Sequence, residues 1–303
     1  MSLSPEDRQD LIESRDIVIK DCQVVCLALG PYRNLTTLTA ATLFLHPSCQ
    51  VLNHAGNRIY GVDEIDFISD FSKEKLDRFL QFAIQLSGGG KRGDYGGSIV
   101  HSHAFDEQYA MKEIFGHTGF DLVKKKIKCL FWKESLATGN LIREKHFDFE
   151  KAFATDQRLR FLMPVRNPMD CASSNILSTH STRFTNVKNV RSFSEVLQAV
   201  LGEIQWFETL RQAYPDRFFR YFEHSINRDM LVSMARFLGL EPDGEWLENS
   251  MAAMVTRSNY EYDRQQVDLY LDLVEKMFLH YPALASQLRP FADSVKLKYP
   301  VTE

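Results

Sequence analysis

Short apolar runs alternate with stretches of helical spacing along most of the chain. Val24 to Leu29 is an apolar run with β-branched residues, bounded by Gly30-Pro31, and predicts a buried strand. After Arg33 the apolar positions Leu35, Leu38, Leu43 and Leu45 fall near helical spacing. They predict a helix over 36–46 that starts at Thr36 or Thr37 and stops before Pro47. A second strand over 50–53 delivers His54-Ala55-Gly56 at its carboxyl end, where the ligand crevice of an open α/β sheet lies. Residues 62–86 carry an amphipathic helical pattern. Residues 98–103 are strand-like, with His101 and His103 on one face. Strands follow over 127–132, 159–165 and 218–222, and helices begin near Pro168 and cover 192–214 and 228–238. Asp16–Ile19 is an extra strand or a short helix, and residues 241–303 form a helical tail. This alternation implies an α/β fold, a mostly parallel central sheet flanked by helices on both faces, in one domain spanning 1–303 with its core over about 23–240.

The polar segments add detail. Residues 87–97 hold six glycines with Tyr95 as their one hydrophobic anchor, which suits either a mobile surface loop or a lid over a ligand. A formal charge of −4 gives no electrostatic case for a nucleic-acid partner. The basic run from Lys124 to Lys128 is expected to be a solvated strand entrance. Five cysteines (Cys22, Cys26, Cys49, Cys129 and Cys171) show no metal-ligand spacing and no CxxC pair, as expected of reduced thiols in a cytoplasmic protein without a metal. The polar, acidic start shows no signal-peptide pattern, and no apolar run reaches the roughly 18 residues that span a bilayer, so no membrane association is expected.

Strand, tight loop and helix start at 24–37 form a geometry that binds phosphate-like anions, because loop N–H groups and the helix dipole face the ligand. The Walker A spacing is absent. Arg33-Asn34-Leu35-Thr36-Thr37 instead resembles the 5′-phosphosulfate loop of the sulfotransferases, in which Arg or Lys precedes Ser/Thr-Gly-Thr-Thr. Arg33, Thr36 and Thr37 match. Asn34 and Leu35 depart from the pattern, and Leu replaces a glycine that tolerates positive φ. Val165-Arg166-Asn167-Pro168-Met169-Asp170, with Ser174 eight residues after Arg166, resembles the family's 3′-phosphate segment. The strand ending Tyr221-Phe222-Glu223 and the helix closing on Phe237-Leu238-Gly239 resemble a third family element.

The resemblance spans about residues 23–240. It implies the P-loop-NTPase-like sulfotransferase fold and transfer of a sulfuryl group from 3′-phosphoadenosine 5′-phosphosulfate (PAPS) to a hydroxyl or amine. It further implies that Arg33, Asn34, Leu35, Thr36 and Thr37 hold the 5′ side of the donor and that Arg166 and Ser174 hold the 3′-phosphate. Tyr221 or Phe222 would pack on adenine, and Arg257 resembles a late basic contact to the 3′-phosphate. In-line transfer needs a base for the acceptor proton and a cation for the leaving phosphate. His54 is the first candidate base and His103 the rival; Lys133 is the candidate cation. A small-molecule, carbohydrate or peptide acceptor is equally compatible, and oligomeric state is open. A non-catalytic binding relative and a nucleotide kinase are the alternative readings.

Overall fold

The computed structural model describes residues 3–107, 110–119 and 121–298. Its strands are β1 (Val24–Ala28), β2 (Cys49–Asn53), β3 (Gly90–Lys91), β4 (Gly96–Ser98), β5 (Cys129–Lys133), β6 (Leu159–Val165) and β7 (Phe218–Phe222), followed by the short pair β8 (Glu261–Tyr262) and β9 (Lys296–Leu297). The first seven make one sheet in the order β3-β4-β2-β5-β1-β6-β7. β2, β5, β1, β6 and β7 run parallel, and β4 and β3 join antiparallel at one edge.

All five residues of β1, β2 and β5 are buried, which is why β1 reads as a continuous apolar run rather than an alternating one. Val25 and Leu27 of β1 point into one core with Trp132, Phe161 and Phe207. Val24, Cys26 and Ala28 point into a second, with Phe44, Leu162 and Trp246. Helices therefore cover both faces, as the α/β pattern predicts. The tail joins both cores. Trp246 donates from Nε1 to Thr42 O at 3.0 Å, and Tyr270 donates to Leu288 O at 2.7 Å.

Three expectations change. The run 98–103 leaves the sheet after Ser98 and folds into 3₁₀ turns over Ile99–His101 and His103–Phe105. The reason is packing: Ile99, Ala104 and Phe105 bury against the Thr36–Phe44 helix, and the Phe105 ring meets Phe44 edge-on at 6.3 Å. Lys124 is buried rather than solvated, with its ammonium 4.3 Å from the Phe44 ring centroid and its pKa pushed down to about 8 by burial. Asp16–Ile19 is neither a strand nor a helix of its own; a 3₁₀ turn at Ser14–Asp16 follows the Pro5–Glu13 helix. That helix supplies Asp7 and Asp10 to the buried Arg58.

The glycine-rich segment is the β3-β4 hairpin at the sheet edge. Its composition follows from how closely it approaches β2. Gly96 has φ +76, and a Cβ there would sit 2.3 Å from Ala55 N and 2.4 Å from Asn53 O. Gly93, at the tip, has φ +89 and nothing within 4 Å. Gly96→Ala is thus expected to cost about 3 kcal/mol, since backbone must move. Gly93→Ala is expected to cost only the left-handed strain of about 1 kcal/mol. Urea unfolding of the two variants measures the difference.

Candidate active site

The carboxyl ends of β1, β2, β5 and β6 open into a cavity of about 1080 Å³. At its β1–β6 end, residues 29–35 turn tightly, with Arg33 and Leu35 both at φ +61. Leu35 therefore takes the left-handed conformation that a glycine would adopt without strain, at a cost of about 1–2 kcal/mol. Asn34 holds the turn in place. It is fully buried, donates from Nδ2 to Pro164 O and accepts at Oδ1 from Arg166 N at 2.9 Å. One side chain thereby ties the loop after β1 to the end of β6. Asn175 and Cys171, on the Pro168–Leu177 helix, both donate to Tyr32 O and pull the loop from the other side.

This bracing brings the predicted anion ligands together. Arg33 donates from Nε to Ser174 Oγ at 2.8 Å, a bond between positions 141 apart in the chain. Arg166 is held by Asp170 at 3.5 Å, and Asp170 in turn accepts from the Tyr262 hydroxyl at 2.8 Å. The Nε of Arg166 is buried with no hydrogen-bond partner. The helix Thr36–Phe44 starts on the cavity wall with no side chain capping it, so its first N–H groups are open to a ligand. Arg257 also lines the cavity. The aromatic ring near Arg166 is that of Tyr260, 5.8 Å from its guanidinium.

At the other end, β2 and β5 deliver His54 and Lys133 side by side. His54 and Ala55 have φ +54 and +73, which turns the imidazole onto the cavity. His54 Nε2 lies 2.8 Å from Lys133 Nζ, and its Nδ1 lies 3.6 Å from Glu134 Oε1. Glu134 is fixed by accepting from Gly56 N at 3.1 Å. Burial pushes Lys133 down to about 8, against the pull of Glu134 and with help from Arg33. His103 lines the same cavity. Surrounding protein and the cations Arg33, Lys133 and Arg92 push its imidazole down to about 4, although one side stays open to the cavity.

No protein-family model matches the chain, and no curated protein matches it in sequence. Among solved structures it is similar to the mouse sulfotransferase SULT7A1 complexed with PAP, at 11% identity and a TM-score of 0.44, covering 97% of this chain and 96% of that one. It is similar to the sulfotransferase STF9 of Mycobacterium avium at 12% identity and a TM-score of 0.44, covering 91% and 79%. It is also similar to the sulfotransferase domain of the Synechococcus PCC 7002 olefin synthase, at 13% identity and a TM-score of 0.38, covering 92% and 90%. The family of these structures is the one whose motifs the sequence resembles.

The structure places Arg33, Asn34, Leu35, Thr36, Thr37, His54, His103, Lys133, Arg166 and Arg257 on the cavity wall, with Ser174 directly behind Arg33. It does not bring Tyr221 or Phe222 there. Tyr221 is buried beneath the Thr36–Phe44 helix, 2.7 Å from Thr39 Oγ1, and Phe222 stacks on His224 and packs near Phe291. An aromatic at a strand end fits core packing as well as ligand stacking, so the sequence pattern does not separate the two. Glu134, next to Lys133, joins the site as an unforeseen member, and Asn53 and His180 carry no motif that marks them. Among the described residues, no group of three His, Cys, Asp or Glu side chains stands ready for a metal, no helix is long and apolar enough to cross a membrane, and the five cysteines are free and buried.

Lys133 carries a pH signature. Its folded value near 8 lies below the ordinary 10.5, so between these the unfolded chain binds more protons. Stability should rise with pH across that window. Lys133→Met should reduce the rise, as measured by urea midpoints at the two ends of the window.

Proposed function

We propose that the protein is a sulfotransferase that moves the sulfuryl group of PAPS to a hydroxyl acceptor. The observation that carries this reading is that Arg33, bonded to Ser174, and Arg166 line one cavity at the uncapped start of the Thr36–Phe44 helix. Two guanidinium groups and a row of free N–H groups fit an anion with two phosphate-like ends. Arg166, Ser174 and Arg257 would hold the 3′-phosphate. Arg33 and the N–H groups of Thr36 and Thr37 would hold the 5′ side. When bound, PAPS supplies a sulfuryl group whose bond to a phosphate oxygen breaks as the acceptor oxygen attacks.

The remaining roles fall to this chain's own side chains. Lys133 is positioned to turn its ammonium from His54 toward the charge that develops on the leaving phosphate. That turn frees the Nε2 lone pair of His54, which takes the acceptor proton. Glu134, on the Nδ1 side, stabilises the resulting imidazolium. His103, pushed down by the surrounding protein and by Arg33, Lys133 and Arg92, is the rival base on the same cavity wall.

Calorimetric titration with 3′-phosphoadenosine 5′-phosphate (PAP), the donor's product, tests the reading against ADP as control. PAP should bind and ADP should bind far more weakly. Arg166→Ala should weaken PAP by roughly tenfold to a hundredfold, the range for a lost charge-assisted hydrogen bond. Equal affinity for ADP, or no affinity for PAP, overturns the assignment.

A further inference from the structure

Asp170 sits where the site meets the last segment of the chain. It lies in the first turn of the Pro168–Leu177 helix, a place that favours a carboxylate, and is 2% exposed. Its two oxygens face different partners. Oδ2 lies 3.5 Å from a terminal nitrogen of Arg166, and Oδ1 accepts from the Tyr262 hydroxyl at 2.8 Å. Burial pushes that hydroxyl up from its ordinary value, so it stays protonated and remains a donor.

Tyr262 in turn closes the span that carries Arg257. Residues 255–261 run between two buried anchors, Met254 in one core and Tyr262 in the other. Five of them, Arg257 and Tyr260 included, line the cavity. The Tyr260 ring approaches the Arg166 guanidinium at 5.8 Å, so the span and the arginine are already neighbours. Tyr262 itself is well fixed. Its backbone pairs with Leu297 in the β8-β9 ribbon, Lys298 N donates to its carbonyl at 2.9 Å, and its ring lies 5.8 Å from that of Phe193. Its hydroxyl is a direct polar tie between this span and the helix that bears Asp170.

Resting on the sulfotransfer reading, we propose that Asp170 is a positioning residue that sets the two 3′-phosphate arginines relative to each other, Arg166 directly through Oδ2 and Arg257 at second hand through Oδ1 and the Tyr262 hydroxyl. The charge of Asp170 opposes a phosphate, so its contribution is geometric. Both guanidinium groups lose freedom before the ligand arrives, which lowers the cost of ordering them on binding. Two arginines tied to one carboxylate then act as a unit and not as independent contacts.

PAP and AMP differ by the 3′-phosphate alone, so the ratio of their dissociation constants isolates that end of the site. Calorimetric titration of the full chain should show PAP bound more tightly than AMP. Tyr262→Phe removes one oxygen from a buried ring and should lower the ratio by roughly threefold to tenfold, the range for one hydrogen bond, with AMP affinity unchanged. Arg257→Ala should then cost less PAP affinity in the Tyr262→Phe background than in the wild type, because the tie that orients Arg257 is already gone. Asp170→Asn keeps an acceptor for Tyr262 but removes the charge: relief of repulsion alone would tighten PAP, whereas loss of positioning weakens it. Thermal melting confirms that each variant is folded. The proposal is overturned by an unchanged ratio in Tyr262→Phe, by equal losses of PAP and AMP, by an undiminished effect of Arg257→Ala, or by tighter PAP in Asp170→Asn. Each of these leaves the donor reading in place. A wild type that binds AMP as tightly as PAP overturns the donor reading, and this proposal with it.

Discussion

The site depends on one buried amide. Asn34 donates to the Pro164 carbonyl and accepts from the Arg166 N–H, and so fastens the loop after β1 to the end of β6. β1 and β6 are already neighbours through parallel pairing, but that pairing ends at Ala28 and Leu162. Beyond it nothing in the sheet fixes where Arg33 sits relative to Arg166. Two cations that repel each other, Arg33 and Arg166, are held on one cavity wall by a neutral group that commits both halves of its side chain to backbone. Similar fasteners continue outward: Asn167 accepts Met169 N–H and donates to Phe291 O, while its own N–H bonds Glu223 at the end of β7.

Strain gathers at the same strand ends. Seven non-glycine residues have positive φ among those described, and five of them (Arg33, Leu35, His54, Ala55 and Ser135) follow β1, β2 and β5 on the cavity side. Each costs about 1–2 kcal/mol and persists only where its surroundings over-determine it. The surroundings here are Asn34, the close-packed glycine hairpin against residues 53–55, and the Trp132 indole, which donates to His54 O at 2.7 Å. Turning Arg33 and His54 toward a common space strains the backbone, and the cores on both faces of the sheet offset that cost.

Much of this is legible in the chain. A continuous apolar run bounded by Gly30-Pro31 marks β1, because a strand buried on both faces leaves few polar positions to blur the pattern, and largely apolar runs mark the other parallel strands. Arg33, Arg166 and Ser174 are picked out by the resemblance of their segments to the sulfotransferase motifs. Asn34 and Leu35 are legible only as departures from a motif, and the structure gives each a physical role: the first is the fastener, and the second occupies the left-handed position that the motif glycine would fill. Tyr221 and Phe222 mislead because burial, not residue type, decides whether a strand-end aromatic meets a ligand. Asn53 carries no sequence signal, since its place on the cavity wall exists only once its neighbours are in place. The 3₁₀ turns after Ser98 likewise come from packing under the Thr36–Phe44 helix rather than from local pattern.

That the Asn34 amide builds the anion site is tested most directly by titrating PAP into Asn34→Ala, with urea unfolding of the same variant. The expected protein is folded but less stable, by about 1–3 kcal/mol for the buried partners left unpaired. Its affinity for PAP should fall by roughly tenfold or more although Arg33, Arg166 and Ser174 are all present. A folded Asn34→Ala variant that binds PAP as tightly as the wild type would contradict the role given to this amide.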